Sequence, residues 1–251
     1  LIGGQGLLVN QRLRFSRLYE SEADREGFIT LEKSGYKTSE MSEMFKNMQE
    51  IRRLSGDNIP EFLLTHPITS SRISDAFNAA DQLEITGGKK NTLNFELVKG
   101  KLKARYNSSS PQAAMRYFET MHQNNPSNEN TFAYIASLKS SGNFQEAINL
   151  NNKLLEKFPK NLILNITKAE ILLSAQQYDR AEISIDEVLR ISPRNYPASI
   201  VKAKILSAQN ESIKAEEILR DLLIKKNKDP SIWMQLSEIQ RSGKNLSLIH
   251  I

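Results

Sequence analysis

The sequence predicts an all-α fold in which a helical domain precedes an α-solenoid of repeated helix pairs. Glycine and proline, the residues that interrupt helices, number 11 and 8 among 251 residues, which favours long helices over many short strands. Apolar residues recur every three or four positions in the first third of the chain, as on the buried face of a helix. In the remainder, residues of the same type recur every 34 positions, which indicates an internal repeat.

Composition excludes several classes of protein. No cysteine is present, so the sequence has no disulfide framework, no cysteine-ligated zinc and no thiol nucleophile. The net charge is +5, but 34 basic residues are interleaved with 29 acidic ones, whereas nucleic-acid-binding proteins concentrate their basic residues on one face. No apolar run reaches the roughly 18 residues of a membrane-spanning helix. We therefore expect no nucleic-acid partner and no membrane span, and we leave peripheral contact with a membrane open.

Both ends of the sequence resemble internal positions of a longer protein. The chain opens with LIGGQGLLVN, without an initiator methionine, and closes on the apolar stretch NLSLIHI. We expect the 251 residues to be a fragment of a larger chain.

Three helices are predicted in the first region. Leu13 to Leu31 forms the first, and Gly35 stops it because glycine takes a left-handed cap at low cost. The second starts near Thr38 or Ser39, and its apolar stripe is typical of a core face rather than a ligand site. The residues of this stripe are Met41, Met44, Phe45, Met48 and Ile51. After a loop, the third helix carries Arg72, Ile73, Ala76, Phe77, Ala80 and Leu83.

A polar, glycine-containing stretch from Thr86 to Asn91 is typical of a linker or tight turn. We place the domain boundary there, with residues 1–88 in the first domain and residues 89–251 in the repeats. Beyond it, the triplet that starts at Pro159 recurs at Pro193, 34 residues later, and small or apolar residues follow the same period. Examples are Ala147, Ala181 and Ala215, and Leu154, Val188 and Leu222.

This period resembles that of tetratricopeptide repeat (TPR) proteins, in which each unit consists of two antiparallel helices. The resemblance covers about Asn94 to Asn245, with about four units and the first helix of a fifth. Trp233 and Leu236 fit the W-x-x-L opening of a unit, although Ser237 stands where Gly is usual. Because one unit cannot bury its own apolar face, the units must stack. The resemblance implies a groove that binds a polypeptide; a structural spacer is the alternative.

Two carboxylates stand out in the first predicted helix. Glu20 and Asp24 are four residues apart, which places both on one face, and like charges at this spacing cost about a few tenths of a kcal/mol. A bound cation would remove this penalty, and so would the neighbouring side chains of Arg17 and Arg25. The spacing alone leaves both explanations open.

These carboxylates belong to the first of three motifs that follow one another in order. The motifs are Ser16-Arg17-x-x-Glu20-x-Glu22-Ala23-Asp24-Arg25-x-Gly27, Ser34-Gly35-Tyr36 and Leu63-Leu64-Thr65-His66-Pro67-x-x-x-x-Arg72-Ile73. From Phe15 to about Leu83, they resemble the HtpX-type zinc metalloproteases. The order of protease domain and TPR units resembles the repeat-bearing periplasmic members of that family. We therefore expect residues 1–88 to be the C-terminal part of a helical zinc metalloprotease domain.

The resemblance implies a role for each motif residue at a site for one zinc ion. Glu20 matches the carboxylate ligand of the family, and Asp24 matches the carboxylate that orients a ligand histidine. His66 matches a loop histidine and is a candidate fourth ligand, because neutral imidazole binds zinc well. In that position His66 would block hydrolysis until the loop moved. A loop histidine that stabilises its own turn is the alternative.

Arg72 matches the family arginine that follows the His-Pro dipeptide. We expect it either to stabilise the oxyanion of the reaction or to pair with Asp75 or Glu61. The candidate catalytic residues are thus Asp24, Arg72 and His66, and the candidate metal ligands are Glu20 and His66.

The H-E-x-x-H motif, which supplies two zinc ligands and the general base of such proteases, is absent from the sequence. The histidines His66, His122 and His250 include no pair four residues apart. We expect the motif upstream of this chain, and we expect the fragment by itself to cleave nothing.

The family resemblance implies a zinc metalloendopeptidase with a chaperone-like role in the quality control of outer-membrane proteins. It implies a periplasmic location, unfolded or misassembled outer-membrane proteins as clients, and the barrel-assembly machinery as a partner. The alternative is a non-catalytic TPR scaffold with a degenerate protease remnant. A general helical adaptor unrelated to proteases would leave the residues from Glu20 to Arg72 unexplained.

Overall fold

The structure, a computed structural model, describes residues 2–56, 63, 66, 68–82, 88–89, 91–106, 110–225 and 227–242, with side chains in the first helix from Leu18 onward. The chain divides into two compact units, Leu1–Asn91 and Thr92–Ile251. Every element of secondary structure in the described residues is an α-helix, which confirms the predicted all-α class. None of these described helices is both long and apolar enough to cross a membrane.

The first unit consists of three helices in the residues that the structure describes. They are α1 (Ile2–Lys33), α2 (Ser39–Leu54) and α3 (Ser70–Gln82). The turn after α1 lies at the predicted stop: Gly35 has a φ of +77°, and the amide of Tyr36 donates to the carbonyl of Leu31 over 3.0 Å. The predicted start at Leu13 was wrong, because the helix begins at Ile2. Glycines at positions 3, 4 and 6 lower the helix propensity of this stretch, but they do not prevent the longer helix.

The side chains between these three helices form one apolar core. Its buried part includes Met41 and Phe45 of the predicted stripe, but Met44 and Ile51 are 42% and 46% exposed. The predicted five-residue core face was too wide: at about 100° per residue, Met44 and Ile51 fall about 60° and 80° to one side of Met41. Leu83, predicted for α3, lies outside the described residues. The buried core residues are Phe28, Met41, Phe45, Leu63, Ile68 and Ala76.

In the second unit, the described residues form four consecutive helix pairs and a ninth helix. The first helices of the pairs, together with the ninth, are α4 (Leu93–Tyr106), α6 (Asn128–Ser140), α8 (Leu162–Ser174), α10 (Tyr196–Ala208) and α12 (Pro230–Ser242). The second helices are α5 (Pro111–Asn124), α7 (Phe144–Lys157), α9 (Tyr178–Ile191) and α11 (Ser212–Lys225).

The 34-residue period corresponds to a repeated helix start. Asn161 and Asn195 precede α8 and α10, and each side-chain oxygen accepts a hydrogen bond from a first-turn amide over 3.1 Å. Ser127 does the same for α6 over 3.2 Å, and Asp229 accepts from the amide of Ser231 over 3.0 Å at the start of α12. These side chains satisfy amides that a helix start leaves without partners, so the repeated triplets mark helix starts.

A second repeated feature closes the turn inside three of the pairs. Gly142, Gln176 and Asn210, again 34 residues apart, have φ values of +85°, +60° and +67°. In the turn after α8, the amide of Gln177 donates to the carbonyl of Leu172 over 2.9 Å, as in a Schellman cap. Two of the three turns therefore hold a non-glycine residue in the left-handed conformation, which L-residues adopt at a cost.

Small residues allow close approach between the helices of the second unit. Ala147, Ala181 and Ala215, which share the 34-residue period, are fully buried. A Cβ at Gly100 on α4 would lie 2.4 Å from the carbonyl oxygen of Glu129 on α6, so the backbones of these two first helices are in direct contact. Side chains from the first helices of the pairs line one groove.

Candidate metal centre

Four predicted site residues come together in the first unit. Glu20 and Asp24 lie one turn apart on α1. Arg72 lies in the first turn of α3, and His66 precedes that helix. The side chains of Glu20 and Asp24 are each 16% exposed and that of Arg72 is 14% exposed. Three charged groups are thus largely withdrawn from solvent, which is costly unless they are paired.

Arg72 bridges the two carboxylates. Its Nε and Nη2 donate to Oδ2 and Oδ1 of Asp24, both over 2.7 Å, a bidentate arrangement that strengthens the pair. Its Nη1 lies 3.0 Å from Oε2 of Glu20. Arg72 thus binds both side-chain oxygens of Asp24. The family resemblance instead implies that Asp24 orients a ligand histidine. Arg72 offsets the repulsion between the carboxylates, whereas Arg25, considered from the sequence, contacts Glu26 at 3.4 Å.

Neighbouring groups hold Arg72 in this position. Its Cζ lies 4.9 Å from the centre of the Phe45 ring, within cation–π range. Its backbone amide donates to Oγ1 of Thr69 over 3.3 Å. The hydrogen bonds to Asp24 raise the pKa of Arg72 above its ordinary value, although burial acts in the opposite direction. The guanidinium therefore stays charged between the two carboxylates.

His66 joins the cluster from the solvent side. Its Nδ1 faces Oε1 of Glu20 within hydrogen-bonding distance, and its side chain is 66% exposed. The two oxygens of Glu20 therefore face different partners, Oε2 towards Arg72 and Oε1 towards His66. Thr65 and Pro67, which flank His66 in the motif, lie outside the described residues.

Other partners considered from the sequence lie elsewhere. Glu61 and the side chain of Arg17 lie outside the described part of the chain. Asp75 accepts a hydrogen bond from Oγ of Ser71 over 3.3 Å. The carboxylates that Arg72 is described to contact are thus those of Glu20 and Asp24 on α1, across the core of the unit.

Glu20 and His66 are of the residue types that bind zinc, but two ligands do not complete a zinc site. A carboxylate oxygen and an imidazole nitrogen are both zinc ligands, and zinc in proteins usually has four ligands. The described part of the chain holds no group of three or more His, Asp or Glu side chains arranged to bind a metal ion. The cluster therefore supplies two candidate ligands, and the H-E-x-x-H pair is not in this sequence.

His122 has a different environment in the second unit. Its Nδ1 lies 3.0 Å from Oγ1 of Thr131, and its ring stacks on Tyr134 with the centres 5.7 Å apart. Burial, assisted by the charge of Lys153, lowers the pKa of His122. These contacts give it a packing role between α5 and α6. His250 lies outside the described residues.

Sequence reasoning did not assign Phe45 or Thr69 to the cluster. Phe45 was interpreted as core alone, although it is the one aromatic residue in a stripe otherwise made of Met and Ile. Thr69 directly precedes α3, and a threonine before a helix is a recognised start signal. Either signal could have marked the residues that support Arg72.

Comparisons with known proteins match two separate segments of the chain. Residues 1–80 match the model of peptidase family M48, and residues 138–190 match a tetratricopeptide repeat model. The β-barrel assembly-enhancing protease of Yersinia pestis is 24% identical over 247 residues, which cover 95% of this chain and 43% of that protein. The protein of the same name from Escherichia coli strain K12 is 28% identical over 151 residues, which cover 59% of this chain and 31% of that protein.

A solved structure supports the fold alone. A tetratricopeptide repeat protein from Parabacteroides merdae ATCC 43184 superposes with a TM-score of 0.51 at 16% identity, covering 81% of this chain and 75% of that one. The chain spans less than half the length of the curated relatives described above. The M48 match contains Glu20, Asp24, His66 and Arg72. These matches confirm the resemblance inferred from the motifs: the chain is similar to the β-barrel assembly-enhancing proteases, with a segment similar to peptidase family M48 and a later segment similar to tetratricopeptide repeats.

Proposed function

We propose that this chain forms part of a zinc metalloendopeptidase that acts in the quality control of outer-membrane proteins in the periplasm. The observation that carries the proposal is the cluster of Glu20, Asp24, His66 and Arg72, which lies within the M48 match. The name of these relatives, β-barrel assembly-enhancing protease, supports both the protease activity and its connection with outer-membrane proteins.

In this proposal the carboxylate of Glu20 would be a zinc ligand, with His66 beside it. The H-E-x-x-H residues would come from sequence outside these 251 residues, since the relatives are more than twice as long as the matched part. When bound, zinc would supply Lewis acidity towards a peptide carbonyl. The chain's own contribution is to orient Glu20: Asp24 holds Arg72 by two hydrogen bonds, and Arg72 holds Oε2 of Glu20.

We propose that His66 is a fourth, displaceable donor beside Glu20. Its imidazole contacts Oε1 of Glu20 while most of its side chain remains exposed, so it can leave without disturbing the buried ion pairs. In place, it would occupy the coordination position that zinc otherwise offers to water, and hydrolysis would be blocked. Movement of the segment that carries His66 would open that position.

The repeats would hold the client or a partner during cleavage. Stacked repeats provide long binding surfaces, and the first helices of the second unit line a groove. Clients in this proposal are unfolded or misassembled outer-membrane proteins, and the barrel-assembly machinery is the partner. The activity would combine proteolysis with chaperone-like holding.

A second candidate function is a non-catalytic TPR scaffold that carries a degenerate protease remnant. One observation favours it: both oxygens of Glu20 already have partners in this chain, Arg72 and His66. A carboxylate that is satisfied in this way does not require a metal ion to balance its charge.

The test compares Glu20→Gln with Glu22→Gln in the full-length protein. Glu22 is an exposed neighbour on α1, so its substitution makes the same chemical change outside the cluster. We expect Glu20→Gln to weaken zinc binding by at least about tenfold, since even supporting residues of zinc sites contribute that much, and to abolish cleavage of an unfolded outer-membrane protein. Glu22→Gln should leave the zinc content and the cleavage rate unchanged.

The scaffold function predicts a different pattern. The full-length protein would bind no zinc, and Glu20→Gln would leave client binding intact, while deletion of residues 94–251 would abolish it. A full-length sequence without H-E-x-x-H would contradict the enzymatic proposal.

A further inference from the structure

The first helices of the second unit line a groove of about 610 Å³. Side chains from α4, α6, α8, α10 and α12 contribute to it, so it runs across all the helix pairs described. This volume is in the range of ligand-binding pockets of proteins. Because each helix pair contributes a first helix, the lining depends on the stacking of the repeats rather than on any one unit.

The charges that line this groove are unbalanced. Four cations face it, and one carboxylate, Glu170, opposes them, which leaves a net charge of +3 at neutral pH. The 29 acidic residues of the whole chain therefore do not neutralise this surface locally. The cations are Lys101, Arg105, Lys139 and Lys204.

Glu170 is already engaged by two of these cations. Its Oε2 lies 2.6 Å from Nζ of Lys139, and its Oε1 lies 3.6 Å from Nζ of Lys101. Arg105 and Lys204 have no other carboxylate among the lining residues. Positive charge concentrated in a groove raises the local concentration of anionic groups and attracts them from a distance.

The groove also has an apolar side. Leu173, Pro197, Ile200 and Val201 line it together with small polar groups such as Ser174. Nucleic acid would use the cations but would leave most of these aliphatic side chains without apolar contacts. A polypeptide that alternates acidic and aliphatic side chains would contact both parts of the lining.

We infer that this groove binds an extended polypeptide segment rich in Asp and Glu, through the side-chain carboxylates of that segment. The inference rests on the proposed binding role of the repeats and specifies the chemistry of what they bind. It is independent of the metal centre. Arg105 and Lys204 would supply the contacts to the bound carboxylates, and Ile200 would contact the intervening aliphatic side chains.

The test measures fluorescence anisotropy of labelled peptides with the 251-residue chain. One peptide alternates Asp and Glu with Leu and Ala, and its matched control replaces every Asp and Glu with Asn and Gln. Both carry an amidated C-terminus, so that a terminal carboxylate cannot contribute. We expect the acidic peptide to bind at least about tenfold more tightly than the control, and its binding to weaken as salt is raised.

Protein variants assign the binding to the groove. The double variant Arg105→Gln/Lys204→Gln should weaken binding of the acidic peptide about tenfold or more, because it removes the two lining cations other than the Lys101 and Lys139 that form ion pairs with Glu170. The control Lys157→Gln/Arg190→Gln removes the same charge from exposed positions on the second helices α7 and α9. It should bind the acidic peptide as the unmodified chain does, and circular dichroism should show equal helicity in both variants.

Several outcomes would overturn the inference. Equal affinity for the acidic and neutral peptides would overturn it while leaving a binding role for the repeats. Binding of neither peptide would overturn both, whereas zinc content tests the metal centre separately. Binding that appears only with a free C-terminal carboxylate, or tighter binding of a single-stranded oligonucleotide of equal charge, would also overturn it.

Discussion

Arg72 on α3 donates two parallel hydrogen bonds of 2.7 Å to Asp24 on α1, a residue 48 positions earlier in the chain. This pair joins two helices across the core of the first unit. It also places a guanidinium 3.0 Å from Glu20, so one cation contacts two carboxylates on neighbouring turns. The pair therefore determines which oxygen of Glu20 remains turned towards His66.

Substitution of Arg72 should destabilise the first unit strongly. Arg72→Gln leaves two largely buried carboxylates one turn apart without their cation, and breaking a buried ion pair on one side costs about 3–5 kcal/mol. Arg72→Lys should destabilise the unit less than Arg72→Gln does. It should still be less stable than the unmodified chain, because an ammonium group cannot form the bidentate contact. Hydrogen exchange of peptides from α1 and α3, followed by mass spectrometry, measures the effect on this unit.

The control for this prediction is Arg53→Gln. Arg53 lies on α2, its side chain is 77% exposed, and its contact with Glu50 is long at 3.9 Å. Exposed pairs of this kind contribute little to stability. The free energies of opening that hydrogen exchange reports for α1 and α3 should therefore stay within about 0.5 kcal/mol of those in the unmodified chain. If Arg72→Gln changed exchange no more than Arg53→Gln, the buried network would have no structural role.

The repeats could be predicted from the sequence because their signals are local. The small residues at Ala147, Ala181 and Ala215 and the triplets at Pro159 and Pro193 fall on a fixed period. A periodic sequence repeats the same short-range packing and helix-start contacts. A structure predicted for one unit is therefore also predicted for the next. Helices α8 and α10 start directly after these triplets.

The candidate site was predictable only in part. The spacing of Glu20 and Asp24 identified one helix face, and the motifs added His66 and Arg72. The choice of Asp24 as the bidentate partner of Arg72, and the support from Phe45, depend on how α1, α2 and α3 pack. A pairing between residues far apart in the chain leaves no local pattern in a single sequence. The sequence therefore suggests the nearby Arg17 and Arg25 as partners of the two carboxylates.

Replacement of Gln176 by glycine should stabilise the second unit. Gln176 is exposed and has a φ of +60°, a conformation that costs an L-residue about 1 kcal/mol or more but costs glycine little. The equivalent position of the preceding unit, Gly142, already holds glycine. Urea unfolding followed by the fluorescence of Trp233, the one tryptophan of the sequence, should show a gain of about 0.5–1 kcal/mol.

The matched control for this turn is Gln145→Gly. Gln145 is an exposed residue within α7, where glycine is less favourable than other residues by about 0.5–1 kcal/mol. Opposite signs for the two substitutions would identify backbone conformation as the cause. A loss of stability from Gln176→Gly would contradict the prediction.

Gly100→Ala should destabilise the second unit although alanine is the better helix former. A Cβ at this position would lie 2.4 Å from the carbonyl oxygen of Glu129 and 3.1 Å from the amide nitrogen of Ala133, so α4 and α6 would have to separate. Overpacking of this kind costs about 1–3 kcal/mol, more than the gain of about 1 kcal/mol in helix propensity. Urea unfolding should show a net loss, whereas Gln123→Ala at an exposed position on α5 should not.

Acid should weaken the repeats partly through Glu170. Burial opposes ionisation of this carboxyl group, but the charges of Lys139 and Lys101 outweigh burial and lower the pKa of Glu170 below its ordinary value of 4.5. A pKa that is lower in the folded state contributes stability at higher pH, and this contribution is lost as the pH falls from about 4.5 through the folded-state pKa. The free energy of unfolding, followed by Trp233 fluorescence, should therefore decrease as the pH falls below about 5.

Glu170→Gln should make that decrease smaller, because the amide does not bind the proton that links folding to pH in this range. The variant should also be less stable than the unmodified chain near neutral pH, since Lys139 and Lys101 lose their shared carboxylate. Lys139→Gln provides the complementary change: it keeps the carboxyl group but removes its nearest cation, and so it should also reduce the dependence on pH. Equal slopes for all three proteins would show that these ion pairs do not link protonation to folding of the repeats.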